Sequence, residues 1–170
     1  MTFNSCQDDE IVVVDEPEVI TTMIFTLTPT TGDVVTLMFE DLDGNGGNAP
    51  TVTTGALAVN EIYTGSIALW NQSLTPAENI GEEVAEEDDE HQFFFQSTVA
   101  GLTVEYGDND DNGNPLGLLT TVSTGVAGTG TLTVTLRHEP DKNAAGVSDG
   151  SIDNAGGETD IEVTFPIDVQ

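Results

Sequence analysis

The chain has 170 residues, 37% of them hydrophobic, enough to bury one core without covalent staples, so a single folded unit is expected. Thirty-one Asp and Glu face two Lys and Arg, a formal charge of -29, which repels phosphates and anionic headgroups and excludes nucleic acid or a polybasic membrane contact as the basis of function. The same field attracts cations and basic proteins, or keeps a protein soluble in a salty medium; the single cysteine excludes an internal disulfide, and no apolar run approaches the roughly 20 residues that span a bilayer as a helix.

At the N-terminus, Phe3-Asn4-Ser5-Cys6 resembles the end of a bacterial lipoprotein signal, where a small residue precedes a cysteine that is lipidated and becomes the mature N-terminus. Residues 1–5 are then a signal remnant and Cys6 the lipidation site; an ordinary free thiol is the other reading. The acidic stretch Gln7-Asp8-Asp9-Glu10 looks like the export signal that sends Bacteroidota lipoproteins to the outer face of the outer membrane. Residues 6–18, acidic around Ile11-Val12-Val13-Val14 and broken by Pro17, read as a tether, and residues 19–170 as the folded domain.

From Val19 the pattern alternates with period two and is rich in β-branched residues, as half-buried strands require. Met23, Phe25 and Leu27 alternate with Thr22, Ile24 and Thr26, and Pro29-Thr30-Thr31-Gly32 turns the chain into a second strand over 33–40, a hairpin. Further strands are predicted over 61–70, 92–98, 101–106, 116–123, 130–138 and 159–169. In the last two, Leu132, Val134 and Leu136 share a face, as do Ile161, Val163, Phe165 and Ile167; Pro166 lacks a ladder donor and places its strand at a sheet edge. About eight strands with Gly/Asn/Asp turns predict an all-β, two-sheet antiparallel sandwich. One short helix near 76–89 interrupts it, capped by Thr75-Pro76-Ala77-Glu78 and carrying Ile80 and Val84 on one face, to pack across an open end.

Four segments, Asp41-Leu42-Asp43-Gly44-Asn45-Gly46-Gly47-Asn48-Ala49-Pro50, Tyr63-Thr64-Gly65-Ser66-Ile67, Glu90-His91-Gln92-Phe93-Phe94 and Leu136-Arg137-His138-Glu139-Pro140, are similar to segments of short acidic flavobacterial surface lipoproteins. Such proteins are often labelled type 1 periplasmic binding fold, a two-domain α/β architecture whose repeated βαβ pattern this chain lacks. The resemblance implies a location, the bacterial outer membrane with exposure at the surface or, alternatively, at the periplasmic face, and no established activity.

Two loops read D-x-D-x-N-G: Asp41, Asp43 and Asn45 in one, Asp108, Asp110 and Asn112 in the other. Alternate oxygens converging on one centre, with a glycine for the sharp turn, are the first half of a calcium loop. Val52 and Leu119 stand where an EF-hand needs a bidentate Glu, so a calcium ion (Ca2+) would need acids from another loop, such as Asp149, Asp153, Glu158 or Asp160. Plain β-turns are the other reading.

The acidic run Glu82 to Glu90 ends at His91, and the only other histidine is His138. His91 is in phase with Phe93 and Phe95, His138 with Leu136 and Val134, and each falls at a strand end, on the rim of the core. If the two ends meet, both imidazoles with Glu90 and Glu139 offer nitrogen and oxygen ligands to zinc (Zn2+) or copper (Cu). Histidines that only hydrogen-bond, and Arg137 or Lys142 bridging to the acidic run, are the alternatives.

Catalysis has little support. Gly146-Val147-Ser148-Asp149-Gly150 matches a nucleophile elbow in letters but lacks the strand-turn-helix setting and a downstream histidine, and the glycines of 125–130 lack a phosphate-loop lysine. The expectation is a non-catalytic surface protein that binds a ligand or partner, a divalent cation or an outer-membrane receptor or transporter it serves, touching the membrane only through a lipid. A calcium-rigidified structural or adhesive module is the alternative.

Overall fold

The computed structural model describes residues 18–44 and 47–170. The expected lipidation site Cys6, the expected signal remnant, the expected tether up to residue 17, and Asn45 lie outside the described residues. The strands are β1 (Thr22–Pro29), β2 (Val35–Glu40), β3 (Thr51–Thr53), β4 (Ile62–Trp70), β5 (His91–Ser97), β6 (Thr103–Tyr106), β7 (Leu119–Ser123), β8 (Gly128–His138) and β9 (Glu158–Val169). They form a six-stranded sheet in the order β3-β2-β1-β4-β7-β6 and a three-stranded sheet β5-β8-β9, with antiparallel pairing throughout. The chain is an all-β sandwich.

The alternation seen in the sequence becomes the packing. Met23, Phe25 and Leu27 on one sheet and Leu132, Val134, Leu136, Val163 and Phe165 on the other join a single buried cluster. Gly65 in β4 is required there: a Cβ would collide with the Phe25 ring and the Thr120 hydroxyl. β9 lies at a sheet edge, as Pro166 demands, and its last turn of ladder is covered by Leu57, which bridges Val169. β5 reads as a continuous apolar run because both its faces are covered. Phe93 points into the main core, while Phe94 packs outward against Val147 and Ala155 of the β8–β9 connection. That connection contains the Gly146–Gly150 segment, which is a loop whose Val147 carbonyl accepts from Gln92 Nε2 at 2.9 Å.

Two elements differ from the sequence reading. β3 was not expected: its three residues are all exposed, so no alternation marks them. The helix, α1 (Ile80–Glu86), begins later than Thr75 would dictate. Asn71 and Glu78 exchange two backbone hydrogen bonds, at 3.0 and 3.1 Å, which holds residue 78 in extended pairing and leaves Asn79 as the first position able to turn. Ile80 and Val84 are buried as their spacing requires, and α1 packs on β4. Among the described residues, no helix is long and apolar enough to cross a membrane.

Candidate metal centre at the end of the small sheet

Antiparallel pairing sets His91 directly opposite His138, the first residue of β5 against the last of β8. The Phe93 N–H donates away from β8, to Leu116 O at 2.8 Å, while the Glu139 N–H donates to Glu90 O at 2.7 Å. Odd positions of β5 therefore form the narrow, non-hydrogen-bonded pairs, where facing side chains come closest. The two imidazoles accordingly stack, with centroids 4.7 Å apart and planes inclined by 26°. The shared rim position anticipated from their phase is what the register produces.

β9 adds a carboxylate by an irregularity. Leu136 pairs with Ile161 but Arg137 pairs with Thr159, so one residue, Asp160, is extra. Regular alternation would turn Asp160 outward with Glu162. The bulge turns it inward instead, and its side chain is fully buried. Asp160 Oδ2 lies 3.8 Å from His91 Nε2 and Oδ1 lies 3.9 Å from His138 Nδ1. The preceding turn is shaped to allow this. Gly156 and Gly157 have positive φ, a Cβ on Gly157 would collide with the His138 carbonyl oxygen, and Arg137 holds the turn by donating to Gly156 O at 3.0 and 2.6 Å and to Thr159 Oγ1. Arg137 is thus bonded to this turn, whereas Lys142 reaches the acidic run through the carbonyl of Asp88.

The fourth group comes from ahead of β1. Glu18 Oε1 lies 3.3 Å from His91 Nε2, and its side chain is 6% exposed. Glu18, His91, His138 and Asp160 each offer a ligand atom, all within 4.8 Å of one another. Glu90 Oε2 lies 3.7 Å from His138 Nε2, and Glu90, His138 and Glu139 form a second, more exposed group that shares His138. The predicted set was His91, His138, Glu90 and Glu139; the geometry keeps both histidines, moves the two glutamates to this flanking group, and supplies Asp160 and Glu18 at the buried centre. Sequence reasoning offered Asp160 only to a calcium loop and placed Glu18 in the tether. Position in the alternation could not reveal a bulge, and nothing local marks Glu18.

The centre is crowded with carboxyl groups. His91 Nδ1 lies 3.1 Å from the Glu87 carbonyl, at the end of α1, so Nδ1 donates there and Nε2 is the ring nitrogen turned toward the carboxylates. Among the described residues, His91 Nε2, Glu18 Oε2 and both Asp160 oxygens make no hydrogen bond. Burial first, then the Glu18 charge, pushes the Asp160 carboxyl up to about 6, and the two histidines oppose this only in part. Burial, then Glu18, also raises Glu83 on α1. Three carboxyls thus crowd two imidazoles.

The two D-x-D-x-N-G loops are organised differently. Asp41 Oδ1 accepts from Gly44 N at 2.9 Å, and Asp43 Oδ2 accepts from Asn48 N and Nδ2 at 3.0 and 2.6 Å, which lowers the Asp43 pKa. Asp108 accepts from Gly117 N and Leu119 N at 2.7 and 2.8 Å, so it points back to the start of β7. Asp110 Oδ1 accepts from Asn112 N and Asn114 N, and its Oδ2 meets the buried Lys142 ammonium at 3.0 Å. Burial alone would raise Asp110, but the Asn114 N–H and Lys142 outweigh it and hold it low. These carboxylates are engaged with N–H donors or an ammonium, and Asn112 contributes its backbone. In comparisons with known proteins, no family model, no curated protein and no solved structure matches the chain.

Proposed function

We propose that this chain is a non-catalytic, lipid-anchored β-sandwich of the bacterial outer-membrane surface whose working end binds a divalent first-row transition cation, zinc by preference, between His91, His138, Asp160 and Glu18. The observation that carries the reading is the buried His91 Nε2, 3.3 and 3.8 Å from two carboxylates with which it makes no hydrogen bond. Two neutral nitrogens and two carboxylates balance a divalent charge, and a ring whose second nitrogen donates to a backbone carbonyl is the usual state of a ligating histidine. Bonds of about 2.0–2.2 Å require the ligand atoms to draw together to roughly 3.5 Å, a side-chain adjustment from their present spacing. Four protein ligands complete a tetrahedral shell and leave no open position for a reacting water, which favours binding or structure over catalysis. The charge of -29 concentrates cations around the molecule.

Zinc at a hundredfold excess over Kd is expected to stabilise the fold by roughly 2.7 kcal/mol. Thermal melting with zinc against chelator at matched ionic strength measures this. His91→Ala and His138→Ala should each abolish the rise, and calcium should do no more than an equal ionic strength of sodium chloride. Equal midpoints with zinc and chelator in the unsubstituted protein would end the proposal.

The anchor rests on Cys6 and the acidic residues after it. Expressed behind a lipoprotein export signal, the chain should fractionate with membranes and Cys6→Ala should move it to the soluble fraction; unchanged partitioning would remove the lipid from this account.

A further inference from the structure

We infer that the cation fastens residues 18–21, the segment just ahead of β1, to the end of the small sheet, with Glu18 as the ligand that couples occupancy to docking. This rests on the metal reading proposed above and adds a consequence for the segment ahead of β1. His91, His138 and Asp160 all belong to the small sheet, fixed by its ladders. Glu18 does not. It precedes the first backbone contact of the larger sheet, the Thr21 N–H to Trp70 O at 3.0 Å, and Val19 between them is 60% exposed. Ile20 packs on the main core, but Val19 next to Glu18 buries little, and the Glu18 carboxylate nonetheless sits almost wholly buried beside that of Asp160 and near Glu83.

Burying a carboxylate against like charges costs several kcal/mol unless an opposite charge meets it. Val19, the neighbour of Glu18, is 60% exposed and offsets little of such a term, and Glu18 Oε2 has no hydrogen-bond donor among the described residues. His91 Nδ1 is engaged with Glu87 O, and its Nε2, 3.3 Å from Glu18 Oε1, makes no hydrogen bond to it. A divalent cation between Glu18, His91, His138 and Asp160, whose ligand atoms already lie within 4.8 Å of one another, supplies the opposite charge and makes the position of Glu18 depend on the metal. Zinc bound, the segment is held at the end of the small sheet; zinc removed, the carboxylates repel and Glu18 leaves. The cation then acts as a clamp between the small sheet and residues 18–21 ahead of β1, and release of the metal requires Glu18 to swing away.

The test uses the full chain and zinc alone, against a competing chromogenic chelator, with hydrogen exchange followed in peptides covering residues 18–24. Zinc should slow exchange in those peptides several-fold in the unsubstituted protein. Glu18→Gln, which preserves shape and removes the charged ligand, and Glu18→Ala should each weaken zinc at least as much as loss of an outer-shell partner does, roughly tenfold to hundredfold. At saturating zinc held by the remaining three ligands, neither variant should show the slowing. Zinc affinity in either variant equal to that of the unsubstituted protein, or zinc-dependent protection of residues 18–24 that persists without Glu18, would overturn the clamp while leaving a three-ligand metal site intact. Absence of zinc binding by the unsubstituted chain would overturn the clamp and the metal reading together.

Discussion

Lys142→Met is expected to destabilise the protein by about 3 kcal/mol, near the lower end of the range for breaking a buried ion pair. The Lys142 side chain is 4% exposed and its Nζ donates to Asp88 O at 2.5 Å, Asp110 Oδ2 at 3.0 Å and Pro115 O at 3.1 Å. One ammonium thereby joins the β8–β9 connection, the 108–115 loop and the acidic end of α1. Removing it leaves Asp110 buried with its backbone donors but without its counter-charge, and leaves two carbonyls without a donor. A loss of this size lowers Tm by roughly 6–12 °C in a chain of this length. Asp110→Asn combined with Lys142→Met should recover part of the loss, because an uncharged pair of similar volume no longer needs the ammonium. Urea denaturation of the four proteins gives the cycle. A change below about 1 kcal/mol for Lys142→Met would mean that water replaces the ammonium at little cost.

Asp160→Asn should show the opposite sign in the metal-free protein. The folded-state pKa of Asp160 is raised from 3.8 to about 6, so folding disfavours the charged form. The folded state therefore binds the proton more tightly than the unfolded chain does. Stability from this group is fully present below the unfolded value and is lost as pH rises through the folded value, a total of roughly 3 kcal/mol for about two units. Against chelator, Asp160→Asn and the unsubstituted protein should have similar stability near pH 4, with the variant ahead by about 2 kcal/mol at pH 7–8. Taking the difference between the two proteins removes the general titration of the other acidic residues. A difference that stays constant from pH 4 to pH 8 would refute the assignment. With zinc present the order should reverse, since the same substitution removes a ligand. That pair of outcomes, a cost without the cation and a gain with it, would distinguish a binding centre from a satisfied core histidine pair.

Much of the architecture is written in local patterns. Period-two alternation places Met23, Phe25, Leu27, Leu132, Val134, Leu136, Val163 and Phe165 in one core, because a strand that exposes one face can bury only every second residue. The same phase rule, applied to His91 with Phe93 and His138 with Leu136, puts both histidines at the core's rim, and the antiparallel register then makes them neighbours. The helix was legible in kind, through Ile80 and Val84, but not in its start, because the Asn71–Glu78 pairing is a tertiary contact that overrides the local cap at Thr75. Tertiary structure alone decided the carboxylates. Asp160 reaches the histidines through a bulge that breaks the alternation by one residue, and Glu18 reaches them from 73 positions ahead of His91, beyond anything a local pattern can encode. Chain periodicity determines which face a residue takes within its own strand; the centre depends on where three strands and an arm end relative to one another, and that is set by the ladders and by the charge they bring together.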